Sequence, residues 1–378
     1  MDRRTFLKGS SITLIAGSSS KPLFASTPKK KIIVIQLQGG ADGLSLVIPH
    51  SDNSLFDMRK DLITDENIEI DSDFALHSSL KNFSTLMSKG QAAVIHATNF
   101  PYTKRSHFEG QNVMQGGGKP FEYDTGWLGR AMGLFKNNLT TLSLDIPLLG
   151  RGPNNVTNYM PSLIESFQLE RNSEFLEQLG ELHAGPIQSN LKKLRHRYLE
   201  KEGSVNTTVS LRGRTSRELA SYAGNEMSYE NGPDAAIITI PGYDTHSNQL
   251  EKMKTLSKEV DGVIEQFRQG LGPKWDDTIV LTLTEFGRTV KSNGAHGTEH
   301  GYGTAALLAG GLVTNPSIIA DWPGLKKLHD DRDLKATIDY RSICAACIEV
   351  VFGLDHDEIA EKVFFDKQLP DLKKYVFA

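Results

Sequence analysis

Lys31-Ile-Ile-Val-Ile-Gln-Leu-Gln-Gly-Gly-Ala-Asp-Gly43 is a short apolar run that ends in a glycine-rich turn carrying one carboxylate. The run is rich in β-branched residues and has no alternation, as expected for a parallel strand buried on both faces. The same arrangement recurs along the chain. Ala235–Ile240 leads into Gly-Tyr-Asp-Thr-His with Asp244 and His246, and Thr278–Thr284 leads into Glu285. Ala92–Ala97 is a further run and opens into the loop 99–105. His300, in Gly-Thr-Glu-His-Gly, instead precedes the apolar run near 304–309. Loops at the carboxyl ends of an open α/β sheet converge on one crevice, so acidic residues and histidines far apart in sequence can meet there. The expected fold class is α/β, with a mostly parallel central sheet flanked by helices.

The connecting segments agree with this. From Ser247 to Leu271, the residues Leu250, Met253, Leu256, Val260, Val263, Ile264 and Phe267 recur at spacings of three and four. That is one buried helix face, and Gly270-Leu-Gly-Pro273 stops it. Leu142–Leu149 reads as another strand or an edge. From Pro161 to Glu202 the pattern is helical and charged, broken at Gly185-Pro186. Its basic run, Lys192, Lys193, Arg195, Arg197 and Lys201, reads as a solvated helix face. The sequence from 201 to 232 is polar and poorly patterned, so 161–232 is expected to be a helical insertion. Residues 26–378 are otherwise expected to form one domain.

The N-terminus reads as an export signal. Asp-Arg-Arg-Thr-Phe-Leu-Lys (2–8) precedes a weakly apolar stretch and a small-residue cleavage point at Ala25-Ser26. Paired arginines in this setting mark the twin-arginine route, whose machinery exports folded proteins. The stretch holds Gly17, Ser18, Ser19, Ser20, Lys21 and Pro22, and falls short of the about 20 apolar residues a membrane anchor needs. The expected product is periplasmic or secreted, with residues 1–25 removed. Those residues carry four basic groups against Asp2, so the full-length charge of −4 becomes −7. An acidic balance argues against a nucleic-acid or anionic-membrane partner. Cys344 and Cys347 are the only cysteines. Cys-Ala-Ala-Cys leaves open a disulfide, a redox pair or two small residues on one buried helix face.

Asp42, Asp244, His246, Glu285 and His300 make up a mixed oxygen and nitrogen set, as in a hydrolytic metal centre. Each also has a plainer reading. Asp42 before Gly43 is an ordinary turn residue, and Asp244 can cap the following helix. Glu285, after a strand buried on both faces, needs a cation, either a metal or Arg288 three positions on. His300 reaches the crevice only if its strand runs antiparallel or its loop arches over. Ser106 in Ser-His-Phe-Glu reads as a capping box with Glu109. It also reads as a nucleophile at a helix N-terminus, where backbone N–H groups favour an anion. His77, His96 and His107 carry no assignment and suit core or supporting roles.

The motifs in combination resemble a widespread bacterial twin-arginine-exported family of unknown function, grouped with the alkaline phosphatase and sulfatase superfamily. They are Gln-Gly-Gly-Ala-Asp-Gly (38–43), Arg-Ser-His-Phe (105–108), Gly-Trp-Leu-Gly-Arg (126–130) and Asp-Thr-His (244–246). Thr-Glu-Phe-Gly-Arg-Thr (284–289), His-Gly-Tyr-Gly (300–303) and Asp339-Tyr340-Arg341 complete the set. The resemblance implies an alkaline-phosphatase-like fold and a metal-dependent hydrolase of phosphate or sulfate esters, small or polymeric. It implies a divalent metal, zinc, held by Asp244, His246 and His300. It also implies a second ion at Asp42, Ser106 and Glu285, with Ser106 as nucleophile. Phe286 stands where the superfamily has a histidine ligand, which depletes the second site. Whether His107 or Glu299 compensates is left open by the sequence. The same departure favours the alternative of an exported binding or assembly protein that keeps the fold without catalysis.

The paired arginines generate a direct test. Arg3→Lys with Arg4→Lys is expected to hold the full-length precursor in the cytoplasm. Fractionation that finds the doubly substituted protein processed outside the inner membrane would remove the twin-arginine assignment.

Overall fold

The computed structural model describes residues 30–64, 66–134, 139–142, 147–152, 156–158, 215–230, 232–315 and 318–377. The expected signal and most of the expected helical insertion lie outside the described residues. The nine strands of the main sheet are β1 (Lys31–Gln38), β2 (Ala92–Asn99), β3 (Leu139–Leu142), β4 (Val156–Asn158) and β5 (Ala235–Pro241). They continue with β6 (Thr278–Leu283), β7 (Thr304–Ala309), β8 (Ile318–Ile319) and β9 (Ile338–Asp339). The spatial order is β8-β2-β7-β6-β1-β5-β3-β4, with β9 also on β2. β1 pairs parallel with β5 and β6, and β3 is parallel to β4 and β5. β7 alone in this sheet is antiparallel, to β2 on one side and β6 on the other.

Helices packed around the sheet include α1 (Asn53–Arg59), α2 (Lys81–Ser88), α3 (His107–Gly116), α4 (Trp127–Leu134), α5 (Ser216–Ser228), α6 (Gln249–Leu271) and α7 (Tyr340–Phe352). They cover both faces of the sheet, and the period-two geometry of a strand divides β1 between two cores. Ile32 and Val34 join residues of α3, α4 and α7, while Ile33, Ile35 and Leu37 join residues of α2, α5 and α6. The apolar stripe of α6 packs as its spacing requires, with Met253, Val260, Val263, Ile264 and Phe267 buried. Cys344 and Cys347 are free and buried on α7, where desolvation pushes both thiols up. This is the small-residue reading of the pair. No helix of the described residues is long and apolar enough to cross a membrane.

Two expectations shift. The strand expected over 142–149 lies at Leu139–Leu142, and Leu148–Gly150 is a 3-10 turn after Pro147. Residues 216–228, expected within the insertion, instead form α5, with Ala220, Ala223 and Met227 in the core shared with α6. Thr215 and Glu218 cap α5 reciprocally, a signal present in the sequence as Thr-x-x-Glu.

The turn after β1 is fixed from beneath. Asp42 accepts from Arg59 Nη1 at 2.8 Å, and both side chains are 1% exposed. Arg59 also donates through Nε to the Val290 carbonyl at 2.8 Å and through Nη2 to the Thr289 carbonyl at 2.9 Å. The pair thus joins α1, the turn after β1 and the segment after β6. Arg59→Met leaves a buried carboxylate without its cation and is expected to cost about 3–5 kcal/mol in denaturant unfolding. Adding Asp42→Asn should recover much of that loss. Equal stability of Arg59→Met and the wild type would contradict this account.

Candidate metal centre

Three loops meet at the carboxyl edge of the sheet. The first follows β2 and carries Arg105, Ser106 and His107 into α3. The second follows β5 and carries Asp244 and His246. The third segment, His300–Gly303, enters β7. Because β7 is reversed, its start lies beside the ends of its neighbours, as His300 required.

Asp244 is where they converge. His246 Nε2 lies 2.9 Å and His300 Nε2 3.2 Å from Asp244 Oδ1, and the two ring nitrogens are 3.1 Å apart. His107 Nε2 lies 3.5 Å from Asp244 Oδ2. Each imidazole is gripped at its other nitrogen. His107 Nδ1 meets Glu285 Oε1 at 3.0 Å, His246 Nδ1 meets Glu299 Oε2 at 3.0 Å, and His300 Nδ1 donates to the Arg105 carbonyl at 2.8 Å. An oxygen behind Nδ1 fixes the tautomer that leaves the Nε2 lone pair forward, the usual support of a metal-ligating histidine. His107, Asp244 and His300 offer donor atoms all within 4.8 Å of one another. The triangle of His246, His300 and Asp244 has edges near the about 3.3 Å expected around a tetrahedral zinc with bonds of about 2.0–2.1 Å. This donor set fits a zinc-like divalent ion.

Two of the plainer readings, Asp244 as a helix cap and Glu285 paired with Arg288, do not hold. Asp244 does not cap α6, whose N-cap is Asn248. Arg288 pairs with Asp244, Nη1 to Oδ1 at 3.0 Å, and not with Glu285. Glu285 is fully buried and accepts from the Gly39 backbone N–H at 2.9 Å as well as facing His107. It therefore stands behind a histidine of the cluster. Gly39 holds this contact at φ +121°, a conformation that needs glycine.

The five expected ligands are thus divided by the structure. Asp244, His246 and His300 come together. Asp42 does not share their contacts, because its oxygens are taken by Arg59, Ser45 and Gln249. Glu285 touches the cluster only through His107. His107, unassigned from its own residues and raised only as a replacement for the histidine missing at Phe286, joins the cluster through Nε2. Phe286 packs against His107 and His300, with ring centroids at 5.0 and 4.8 Å. Ser106 is the N-cap residue of α3 but makes no side-chain cap bond. Glu109, the other half of the expected capping box, turns to the Tyr102 hydroxyl at 3.1 Å.

The charges differ around the cluster. The Glu285 hydrogen bond raises the His107 pKa against the effect of burial, with Asp244 adding to the rise. Burial lowers that of His300, and His107 and Arg288 lower it further. Burial opposes ionisation of Asp244, but Arg288, His246 and His107 together hold its carboxyl below the ordinary range. A second group of metal-capable residues, Glu349, His356 and Asp371, lies in the C-terminal segment, where Lys373 also approaches Glu349 at 3.7 Å. It reads as an ion-pair network.

Residues 29–364 match the family described as "Protein of unknown function (DUF1501)". The chain belongs to DUF1501. No curated protein matches it. Among solved structures, this DUF1501 chain is similar to the C-terminal periplasmic domain of EcEptC from Escherichia coli in complex with Zn. The TM-score is 0.43 at 9% identity, covering 92% of this chain and 89% of that one. It is also similar to the PsFucS1 sulfatase from Pseudoalteromonas sp., with TM-score 0.41, 10% identity and coverage of 93% and 72%. A protein in the alkaline phosphatase superfamily from Vibrio parahaemolyticus gives TM-score 0.40, 12% identity and coverage of 93% and 76%. These are likenesses of outline, and the chemistry is read from this chain's own residues.

Proton and metal compete for His107 Nε2, so zinc uptake by this DUF1501 protein should strengthen as pH rises through the His107 pKa. Glu285→Gln removes the charge that raises that pKa. The midpoint of zinc uptake against pH, measured by chelator competition, is expected to move to lower pH. A midpoint that stays in place or moves to higher pH would count against Glu285 acting through His107.

Proposed function

We propose that this protein is an exported hydrolase of phosphate or sulfate esters that works with a single zinc-like ion and Ser106 as nucleophile. The observation that carries the reading is the convergence of three histidine Nε2 atoms on Asp244, each ring braced at Nδ1. Support for one ion, rather than two, comes from the neighbourhood. Asp42 is neutralised by Arg59, Glu285 is spent on His107, and Phe286 fills the space beside His107 and His300 with a ring that has no donor. His107, Asp244, His246 and His300 would hold the ion. Bound there, it would polarise an ester oxygen and lower the pKa of a nearby hydroxyl.

The protein's own groups supply the rest. Ser106 sits between Arg105 and His107, both in contact with the cluster, and at the N-terminus of a ten-residue helix. Backbone N–H groups there favour an anionic ester. Attack by Ser106 Oγ would form the bond to phosphorus or sulfur and break the bond to the leaving alcohol. Water would then hydrolyse the resulting seryl ester. Arg288 is buried against Asp244 and orients that carboxylate. The second reading, an exported binding or assembly protein, draws on Phe286.

Ser106→Ala separates these possibilities. With the zinc-loaded protein and a panel of chromogenic phosphate and sulfate esters, the substitution is expected to abolish turnover while zinc stays bound. Ser106→Asp should do the same. Turnover within a few-fold of wild type in Ser106→Ala removes the nucleophile assignment. Wild-type zinc protein that turns over no ester favours the binding role.

A further inference from the structure

The residue before Ser106 is held in an unusual way. Arg105 has φ +61°, in the left-handed region that residues with a β-carbon seldom enter. Such a conformation persists where the surroundings over-determine it. Here they do. Arg105 Nε and Nη2 donate to Asp333 Oδ2 at 2.9 and 2.6 Å, and Nη2 also reaches Asp330 Oδ2 at 2.6 Å. The Asp333 side chain is 0% exposed and its other oxygen accepts from Arg332 Nε at 3.0 Å.

The loop that supplies these carboxylates touches the other side of the site as well. Arg332 Nη2 donates to the His300 carbonyl. Val290 N–H donates to the Arg332 carbonyl at 3.0 Å, and Thr289 bridges Asp333. One short segment, 329–333, thus grips the loop that carries Ser106 and His107 and also the backbone of His300. The Arg105 carbonyl, presented by that strained backbone, is the acceptor for His300 Nδ1.

We infer that Asp333 and Arg105 are positioning residues of the centre. Their ion pair, with the Asp333 carboxylate enclosed and Arg105 partly exposed, locks the Arg105 carbonyl against His300 Nδ1 and so aims His300 Nε2 at Asp244. The inference rests on the metal-centre reading for its consequence, a loss of zinc affinity when the lock is opened. It stands apart from that reading in its cause, the tautomer of His300, which exists without any ion.

Two variants and two readouts test it. Asp333→Asn removes the charge and keeps the shape. Arg105→Gly removes the clamp while relieving the strain of φ +61°, so a purely conformational role predicts no harm. In both, zinc affinity by chelator competition is expected to fall about 10–100-fold, as for lost support of a metal-ligating histidine. In the zinc-free proteins, ring ¹⁵N shifts assigned with His300→Gln should show a single Nδ1–H tautomer in the wild type and a mixture in each variant. If Asp333→Asn does not fold, Arg105→Gly carries the test. An unchanged His300 tautomer in folded Arg105→Gly overturns the inference whether or not zinc binds. A wild type with the expected tautomer but no zinc affinity overturns the metal centre and leaves the lock standing.

Discussion

The reversal of β7 is the constraint on which the site depends. Antiparallel pairing of Leu308 with Leu281 and of Thr304 with Thr98 puts the start of β7 at the edge where its neighbours end. The segment entering it then runs back along the one leaving β6. Gly287 N–H donates to the Tyr302 carbonyl at 2.9 Å and Gly301 N–H to the Gly287 carbonyl at 2.8 Å. The approach is so close that a Cβ on Gly287 would collide with the Gly303 carbonyl. Through this contact Arg288 and His300 both face Asp244. In a parallel strand, a residue ahead of the run would lie at the opposite edge.

Asp42 and Asp244 show how similar local sequences reach opposite ends electrostatically. Both follow a buried parallel strand, and both meet an arginine. Asp42 is enclosed with Arg59, and its remaining bonding capacity goes to Ser45 and Gln249, so it acts as a structural counter-ion. Asp244 is 44% exposed and meets Arg288 with one oxygen while three imidazoles approach. A carboxylate open to solvent and ringed by imidazoles can share an ion with them. One closed off by a guanidinium cannot do so without leaving that cation unpaired.

The five long strands, β1, β2, β5, β6 and β7, were legible because burial on both faces writes a continuous apolar run, whereas the short strands toward the sheet edges carry too few residues to write one. Asp244, His246 and His300 were legible because each flanks such a run. The remainder depends on contacts between segments that no local pattern announces. A glutamate that binds an ion and one that braces a histidine look alike after a strand, and Glu285 is told apart only by the His107 ring 3.0 Å away. The partner of Asp42 sits 17 residues on, in the short helix α1, with no spacing that marks it. At Ser106 the capping-box pattern pointed to Glu109, and Tyr102 took that glutamate instead. The opposite omission occurred at Thr215 and Glu218, where the same pattern was present and does cap a helix.

The three acceptors behind the histidines are chemically unlike, and the His107 and His300 pKa values are driven in opposite directions. His107 leans on a buried carboxylate, His246 on an exposed one, and His300 on a neutral carbonyl. A carboxylate makes its imidazole more basic, whereas a carbonyl fixes the ring with little added charge. Burial accordingly prevails at His300, whose pKa is lowered, while Glu285 prevails at His107, whose pKa is raised. His107 therefore has a stronger hold on a proton than His300. A cation entering the cluster would compete with that proton at His107 Nε2. The histidine next to Ser106 in sequence would thus engage an ion more readily as pH rises, whereas His300 has less of a proton to lose.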